Sequence, residues 1–341
     1  MKNKKNNFIE KLKNFFKSPK EIISFFLPII ITLSLLIPVP FYIKMGGGTI
    51  KIDEKINIKN SNKSTGSLQA LYVRESKGVV LTYLLSYIIP SYEKEKISEV
   101  TYKDEDKDEY DYRERLYFTN SVDSATKVAF EKANKKIWVS SSKFLVIYID
   151  KSAKTNLKVG DEILKIDNKK ITSYDEMSKI LSTFNENEKI SILVKREDKE
   201  ITTESYLTNF EKKKRLGVII SNEIKYSTSP EVNFSFGERE AGPSGGLMIA
   251  LSIYNKLTKE DITHGKKVVG TGTIDINGNV GEIGGIKHKL MAANRKKADI
   301  VFVPKDNYKE AKEITDKKNY KFKLISVSTF DDAINYLDNL K

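Results

Sequence analysis

The sequence contains no cysteine and only two histidines, His264 and His288, among its 341 residues. The lack of cysteine excludes disulfide bonds, Cys-ligated zinc and a cysteine nucleophile. Two histidines are too few for a histidine-rich metal site, and no G-x-x-x-x-G-K-[ST] motif for nucleotide phosphates occurs. We therefore predict a protein that uses no cofactor and no metal, and that performs its chemistry with its own side chains.

Acidic residues are in short supply, with 46 Asp and Glu against 59 Lys and Arg, which gives a formal net charge of +13. Such an excess is compatible with nucleic acid, with an anionic membrane surface, or with a lysine-rich composition alone. The lysines are spread through almost every segment, and no basic-aromatic motif typical of nucleic-acid binding accompanies them. We therefore predict no nucleic-acid partner. The length is sufficient for about two domains.

One long segment, Ile22–Ile43, carries no charge. A helix needs about 20 residues to cross the bilayer core. No A-x-A-like cleavage site follows the segment, as a signal peptide would require. Seven lysines precede it, against Glu10 and Glu21: Lys2, Lys4, Lys5, Lys11, Lys13, Lys17 and Lys20. The positive-inside rule then places residues 1–21 in the cytoplasm and the rest outside. We predict an uncleaved anchor, followed by a flexible joint at Gly46–Gly48.

The chain after this joint begins with strand-like patterns. Residues 49–60 alternate apolar and polar positions, which is typical of a half-buried strand, and residues 66–75 predict a second strand. Residues 78–90 are apolar and fit either a strand or a short helix. The acidic stretch 96–113 lacks the residue order and the glycine of an EF-hand, so we predict a loop without a calcium site. Apolar residues recur at helical spacing from 114 to 135 and predict an amphipathic helix.

A second group of elements begins near residue 138. We predict strands and one helix in this order: a strand at 144–150, a turn and strand at 158–171, a helix at 174–184 and a strand at 189–198. Ser173 stands at the N-cap position of the helix, with Glu176 three residues later as in a capping box.

This order, with Gly160-Asp161-Glu162-Ile163-Leu164 leading into Ile166-Asp167, resembles a PDZ domain of the kind attached to bacterial envelope proteases. The resemblance implies a peptide-binding module over residues 138–210. The usual glycine-containing loop that binds a C-terminal carboxylate is not evident, because Ser140–Lys143 stands in its place. Peptide addition at the sheet edge and a role as a spacer or lid both stay open.

A turn of small residues, Gly242-Pro243-Ser244-Gly245-Gly246, comes directly before an apolar run that is long enough for a buried helix. A serine at this place can cap the helix by accepting a backbone N–H. It can also be a nucleophile, because the N–H groups at a helix start stabilise a developing oxyanion. The turn by itself favours the capping role.

Residues 270–304 strengthen the nucleophile hypothesis. They predict a strand, a hairpin turn at Asn277-Gly278, a second strand, a turn at Gly284-Gly285, a helix and a strand. Lys287 falls in the first turn of that helix, where the helix dipole disfavours a cation. A desolvated lysine there loses its proton more readily and can act as a general base. His288 adjoins it, but helical neighbours point about 100° apart, so we predict no Ser–His pair.

Together these residues resemble the Lon-type proteases. The 242–246 turn is similar to the family's GPSAG nucleophile motif, and the run from Thr271 to Lys287 is similar to its TGEI…IGGLK run. The resemblance implies a Ser244–Lys287 dyad in which Thr271 orients Lys287. It also implies that the backbone N–H of Gly242 belongs to the oxyanion hole. Three positions depart from the family pattern: Ala241, Gly245 and Thr273.

Segment 66–135 resembles the first half of a Lon proteolytic domain, so the PDZ-like module would be inserted into the catalytic domain. We predict an α+β fold with five parts: a cytoplasmic basic tail over 1–21, a transmembrane helix over 22–43, the first part of a Lon-type domain over 49–137, a PDZ-like domain over 138–210, and the Lon-type catalytic part over 211–341. The whole chain resembles the membrane-anchored PDZ–Lon proteases of Gram-positive-type bacteria, including the pheromone-processing SepM family.

The predicted function is that of an ATP-independent serine endopeptidase that cleaves peptides or exposed protein segments outside the cytoplasmic membrane. Its partners would be its peptide or protein substrates and the membrane itself, through residues 22–43. The alternative is a non-catalytic envelope scaffold that only binds peptides. The substrate, the cleavage site and the oligomeric state do not follow from the sequence.

Overall fold

The structure is a computed structural model that describes residues 18–210, 213–237 and 240–340. Residues 1–17 of the predicted basic tail lie outside this range. The described chain divides into two compact units. The first unit extends to Gly46 and resumes over Arg74–Val100, and the second comprises Gly47–Val73 and everything from Thr101 onwards.

Helices and strands alternate throughout, which agrees with the predicted α+β class. The first elements are α1 (Pro19–Leu36), β1 (Pro38–Lys51), a 3₁₀ turn (Ile52–Glu54), β2 (Ile56–Ile58), β3 (Ser67–Val79), α2 (Val80–Leu85), β4 (Glu93–Lys96), α3 (Ile97–Val100) and α4 (Lys107–Lys132). The middle contains β5 (Lys136–Ile149), β6 (Glu162–Ile166), β7 (Lys169–Lys170), α5 (Tyr174–Ser182), β8 (Lys189–Arg196), β9 (Lys199–Tyr206), β10 (Thr208–Phe210), β11 (Lys213–Arg215) and β12 (Val218–Ser229). The last part contains β13 (Val232–Phe234), a 3₁₀ turn (Pro243–Gly245), α6 (Gly246–Leu257), β14 (Lys267–Gly270), β15 (Thr273–Ile274), β16 (Val280–Gly281), α7 (Ile286–Arg295), β17 (Ile300–Pro304), α8 (Lys305–Lys318), β18 (Lys323–Val327) and α9 (Phe330–Asp338).

Helix α1 is the one helix in the described part of the chain that is long and apolar enough to cross a membrane. None of its residues is buried, and both a membrane anchor and a signal sequence have this length and composition. The helix is shorter than the predicted span 22–43, because it ends at Leu36 and strand β1 starts at Pro38. Pro38 and Pro40 account for the early end, since proline lacks the N–H that a continuing helix needs.

In the first unit, the beginning of β1 pairs with β4 in antiparallel register, from Phe41 opposite Lys96 to Lys44 opposite Glu93. Ile43 on this strand is fully buried. The glycines of the predicted joint, Gly46–Gly48, lie within β1, and the boundary between the two units falls between Gly46 and Gly47. In the second unit a side chain at Gly47 would collide with the backbone carbonyl of Tyr72 on β3. This glycine therefore permits the close approach of two strands.

The second unit is built on four adjacent parallel strands in the order β18–β17–β14–β3. Alternate residues along these strands enter two different hydrophobic clusters, as expected when successive side chains point to opposite faces. Val268 and Phe302 belong to the cluster that contains α4 and α6. Val269 and Val301 belong to the cluster that contains α7.

Helix α4 is longer than the predicted helix 114–135, because it begins at Lys107 within the stretch predicted as a loop. Asp106 caps it by accepting from the backbone N–H groups of Asp108 and Glu109, and the Glu109 side chain completes a capping box. The acidic residues that suggested a loop are therefore helix-start residues, which the helix dipole favours.

A separate core lies within the PDZ-like part of the chain, formed by β5, β6, β8, β9 and the start of β12 with helix α5. Its fully buried residues are Val146, Ile166, Ile190, Ile192 and Val194. The predicted cap of α5 is present, because Ser173 Oγ accepts from the Glu176 N–H at 3.2 Å. The Glu176 carboxylate accepts from the Thr172 N–H at 2.9 Å.

One hydrophobic cluster unites segments from both sides of the PDZ-like module in the sequence. Leu68 and Phe130 precede the module, Leu247 and Phe302 follow it, and all four are fully buried in this cluster. The chain before the module and the chain after it therefore share one core.

Asp261 joins two distant segments of the Lon-type domain by accepting hydrogen bonds from several donors. Its carboxylate accepts from the Thr65 N–H and hydroxyl at 2.6 Å each, and from the Thr263 N–H at 3.0 Å. Burial by itself would raise the pKa of Asp261, but these hydrogen bonds from Thr65 and Thr263 outweigh it and hold the pKa well below the ordinary value.

We expect Asp261→Asn to lower the free energy of unfolding by about 2 kcal/mol at pH 7, because hydrogen bonds to a charged acceptor are lost. A depressed carboxyl pKa stabilises the native state above the unfolded-state pKa, and this contribution disappears as the pH falls below it. The difference in the free energy of unfolding between the wild type and Asp261→Asn should therefore be constant from neutral pH to about pH 5 and shrink below about pH 4. Urea unfolding at several pH values measures it. The neighbouring exposed Glu260→Gln is the control, and a pH-independent difference would contradict the assignment.

Candidate active site

Ser244 lies in the 3₁₀ turn that leads directly into α6, as the sequence predicts. The turn starts at Gly242, whose φ of 79° lies in a region that side chains other than glycine rarely adopt. Helix α4 supports the turn, because Ser121 Oγ donates to the carbonyl of Pro243 at 3.0 Å. Ser244 itself is half-buried, so a peptide from solvent can reach it.

The position of Gly242 differs from the prediction. Its N–H donates to the backbone carbonyl of Glu114 at 3.1 Å. That group is therefore engaged with α4 and does not serve as an oxyanion donor in this arrangement. The role of Gly242 here is conformational, since it combines a positive φ with close approach to the Glu114 side chain.

A buried ion-pair network fixes the part of α4 that holds Gly242. The Arg113 guanidinium donates two hydrogen bonds to Glu105, at 2.7 and 2.9 Å, and one to Glu114 at 3.0 Å. Arg113 and Glu105 are both more than nine-tenths buried. A bidentate pair of this kind is geometrically specific, so the α4 backbone next to the turn is firmly placed.

Thr271 is fully buried and follows the end of β14. Its hydroxyl donates to the backbone carbonyl of Ser244 at 3.1 Å. The N–H of Gly272 donates to the same carbonyl at 2.8 Å, and the N–H of Leu247 donates to the carbonyl of Gly272 at 3.2 Å. Three hydrogen bonds therefore attach the residues after β14 to the turn that carries Ser244.

The lysine at this site is Lys289, and the predicted contact between Thr271 and Lys287 is wrong. Lys289 Nζ donates to Thr271 Oγ1 at 3.0 Å, and only 3% of Lys289 is exposed. Lys287 is exposed to solvent on the same helix. Residues two positions apart on a helix point about 200° apart, so the two lysines cannot face the same site.

The sequence contains a signal that distinguishes the two lysines. The buried apolar residues of α7 include Ile286, Leu290 and Ala293, which define its inner face. Lys289 is three residues after Ile286 and therefore belongs to that face, whereas Lys287 does not. The helical pattern thus favours Lys289, whereas the similarity of the Gly285-Ile286-Lys287 run to the Lon-type motif favours Lys287.

The histidines and the acidic residues suggest no other chemistry. His264 is exposed in a turn, and His288 is fully buried on α7. Within residues 18–210, 213–237 and 240–340, no group of three or more His, Asp and Glu side chains is arranged to hold a metal ion.

A groove of about 560 Å³ lies in the PDZ-like part, between α5 and the start of β12. Its apolar lining comes from α5, from β12 and from the segment just before β12: Met177, Leu181, Leu216, Val218 and Ile220. Lys213, Lys214 and Arg215 contribute positive charge. Gly217, with a φ of 72°, stands among these residues.

The segment that stands in the usual place of a carboxylate-binding loop is a strand. Ser140–Lys143 forms part of β5 and pairs with β12, with Ser141 opposite Lys225 and Lys143 opposite Glu223. The glycine turn with basic neighbours is instead Arg215-Leu216-Gly217-Val218, which follows the module's other strands in the sequence.

Comparison with known proteins agrees with this division of the chain. Residues 237–338 match the model of the Lon protease (S16) C-terminal proteolytic domain, and residues 127–206 match the model of the PDZ domain. The chain thus carries a Lon-type proteolytic domain and a PDZ domain, and the first of these supports a peptidase.

Individual relatives are similar over the C-terminal part. The Lon protease of Azospirillum brasilense is 42% identical over 95 residues, which are 28% of this chain and 12% of that protein. The Lon protease of Aster yellows witches'-broom phytoplasma is 39% identical over the same shares. The Lon protease of Malacoplasma penetrans is 30% identical over 134 residues, or 36% of this chain and 16% of that protein. The chain therefore spans only a small part of the length of these relatives.

We expect Thr271→Val to lower the free energy of unfolding by about 1–3 kcal/mol, because it removes the acceptor of a buried lysine and a donor to the Ser244 carbonyl. Valine keeps the shape of threonine, so packing changes little. Thr273→Val, two residues later and half-buried, is the matched control. Urea unfolding measures both variants, and equal stabilities would show that the Thr271 hydroxyl contributes nothing to the native state.

Proposed function

We propose that the chain is a serine endopeptidase that works without ATP, with Ser244 as the nucleophile and Lys289 as the general base. The observation that carries the proposal is the hydrogen-bonded path from Lys289 Nζ to Thr271 Oγ1 and on to the Ser244 carbonyl. This path brings the only fully enclosed lysine of α7 to the turn of a half-buried serine. All three residues lie inside the segment that matches the Lon proteolytic domain.

The burial of Lys289 suits a base. An ammonium group withdrawn from water is disfavoured relative to the neutral amine, and only the neutral amine can accept a proton. The Thr271 hydroxyl accepts from the Lys289 amine and donates to the backbone carbonyl of Ser244. It would therefore hold the amine beside the turn that carries Ser244, the residue that must lose a proton. Thr271 is therefore a positioning residue in this proposal.

The reaction would proceed in two stages. Neutral Lys289 accepts the proton of the Ser244 hydroxyl while the serine oxygen attacks the carbonyl carbon of the peptide. Lys289 then returns the proton to the leaving amine as the C–N bond breaks, and water hydrolyses the acyl-serine in the same manner. The backbone N–H of Ser244, in the turn just before α6, would stabilise the oxyanion, because the dipole of that helix favours negative charge there.

The PDZ domain would supply substrate to this site. Its groove combines an apolar lining with a glycine turn and three basic residues, which suits the end of a peptide with an apolar side chain and a free carboxylate. Helix α1 would anchor the chain in the membrane, with residues 1–21 in the cytoplasm and both domains outside. The substrates would then be extracytoplasmic peptides or exposed protein segments.

The decisive test separates the two lysines of α7. The full chain in detergent is compared with Ser244→Ala, Lys289→Ala and Lys287→Ala on an unfolded casein substrate without ATP. We expect both Ser244→Ala, which removes the nucleophile, and Lys289→Ala, which removes the general base, to lose about 100-fold or more in kcat. Lys287→Ala should retain nearly full activity, since its side chain is in solvent.

Each other outcome has a definite meaning. Loss of activity in Lys287→Ala with Lys289→Ala active would restore Lys287 as the base. Equal cleavage by all four proteins would indicate a contaminant. A folded wild type that cleaves nothing, across a pool of extracytoplasmic peptides as well as casein, would favour the alternative function of a peptide-binding scaffold.

The groove has its own test, a comparison of fluorescent peptides that end in an apolar residue with a free or an amidated C-terminus. We expect the free carboxylate to strengthen binding about tenfold, as one charge-assisted hydrogen bond does. Leu181→Asp should abolish binding, because it places in the apolar lining a negative charge that repels the peptide carboxylate. Lys199→Ala, at an exposed position away from the groove, should leave the affinity unchanged. Equal affinity for amidated peptides would contradict carboxylate recognition.

A further inference from the structure

The first unit contains a short apolar segment that the protein does not cover. Helix α2 and the turn after it, residues 80–92, carry nine large apolar or tyrosine side chains: Val80, Leu81, Tyr83, Leu84, Leu85, Tyr87, Ile88, Ile89 and Tyr92. No residue of α2 is buried. The exposed fractions of Leu84, Tyr87 and Ile88 are 53%, 65% and 77%. An exposed apolar patch of this kind marks a surface that a membrane or another protein molecule covers.

This apolar platform (residues 80–92) begins where the candidate membrane helix ends. The N–H of Val80 donates to the carbonyl of Ile37, the residue after α1, at 3.0 Å. Helices α1 and α2 are also in contact. Leu36 and Ile37 are 70% and 50% exposed, so the uncovered apolar surface continues from the helix end onto the platform. A bilayer that contains α1 must therefore have one of its faces at the platform.

The side chains around the platform have the composition of a membrane–water interface. Tyr83 and Tyr87 share a hydrogen bond between their hydroxyls at 2.9 Å. The ammonium of Lys94 lies 3.5 Å from the centre of the Tyr87 ring. Tyrosines with an apolar ring and a polar tip, and lysines beside them, are enriched at the level of lipid headgroups. Strand β4 continues as Glu93-Lys94-Glu95-Lys96 and is charged throughout, so the polarity rises from the platform towards water.

We propose that the platform lies in the headgroup region of the bilayer, on the side where α1 ends, with Leu84 and Ile88 inserted among the acyl chains. This inference rests on the proposed anchoring by α1. Its consequence is that the first unit is attached to the membrane at two places, the spanning helix and the platform. A two-point attachment restricts the tilt and rotation of the unit relative to the membrane, which a single helix does not.

The test uses the natural lack of cysteine, which allows one label per molecule. Full-length single-cysteine variants at Leu27, Ile88 and Asp198 carry an environment-sensitive fluorophore and are reconstituted into phosphatidylcholine–phosphatidylglycerol vesicles. Asp198 is the aqueous control, because 93% of its side chain is exposed on the PDZ domain. Nitroxide-labelled lipid and aqueous iodide are the two quenchers. We expect lipid quenching at Ile88 to be several-fold stronger than at Asp198, and iodide quenching several-fold weaker.

The label at Leu27, in the middle of α1, separates the two proposals. Lipid quenching at Leu27 with iodide quenching at Ile88 would overturn the platform and leave the anchor intact. Lipid quenching at Ile88 alone would support the platform and overturn the spanning helix. Iodide quenching at both would overturn both. A label at Ile88 that neither quencher reaches would show a protein partner or a second copy over the platform, and this also overturns the lipid assignment.

Discussion

The hydroxyl of Thr271 occupies the position on which the candidate active site depends. It accepts from Lys289 Nζ and donates to the Ser244 carbonyl, so a single oxygen connects α7 to the start of α6. A hydroxyl has one proton to donate, and here the Ser244 carbonyl receives it, which leaves its lone pairs for the lysine. Burial of a lysine is costly without an acceptor, and Thr271 supplies one at a place that β14 fixes. The short β14, the turn at Gly272 and the entry of α6 are the means by which the fold holds this oxygen between its two partners.

The pairing of β5 with β12 explains how a second domain can interrupt the first. The Lon-type core needs α4 from before the PDZ module and α6 from after it. The chain leaves through β5 and returns through β12, and these strands pair antiparallel from Ile149 opposite Val218 to Lys136 opposite Ser229. The two ends of the insertion are therefore adjacent, so the catalytic domain closes without a gap, in the way that insertions with neighbouring termini are tolerated.

The sequence predicts local features well and those that depend on which residues become neighbours poorly. The Ser244 turn, the Asn277-Gly278 hairpin and the Ser173 cap are contained in a few consecutive residues, and the structure has all three. The similarity of the motif that ends in Lys287 does not identify the buried lysine, because burial depends on the direction that α7 presents to β14. Strand β12 falls outside the predicted bounds of the PDZ-like module, 138–210, for a related reason: it follows the module's other strands and joins them only through its pairing with β5.

The engagement of Gly242 restricts how the proposed reaction can work. Its N–H is held by the Glu114 carbonyl, and the buried Arg113–Glu105 pair fixes α4 at that point. The N–H groups of Gly246 and Leu247 at the start of α6 are engaged as well, by the carbonyls of Pro243 and Gly272. The donor that we propose for an oxyanion is therefore the N–H of Ser244 itself. The start of α6 after it is closely packed, because a side chain at Gly246 would come within 2.7 Å of Ile274 and 2.5 Å of the Ser121 hydroxyl. Helix α4 and strand β15 thus hold the Ser244 turn in position before any substrate arrives.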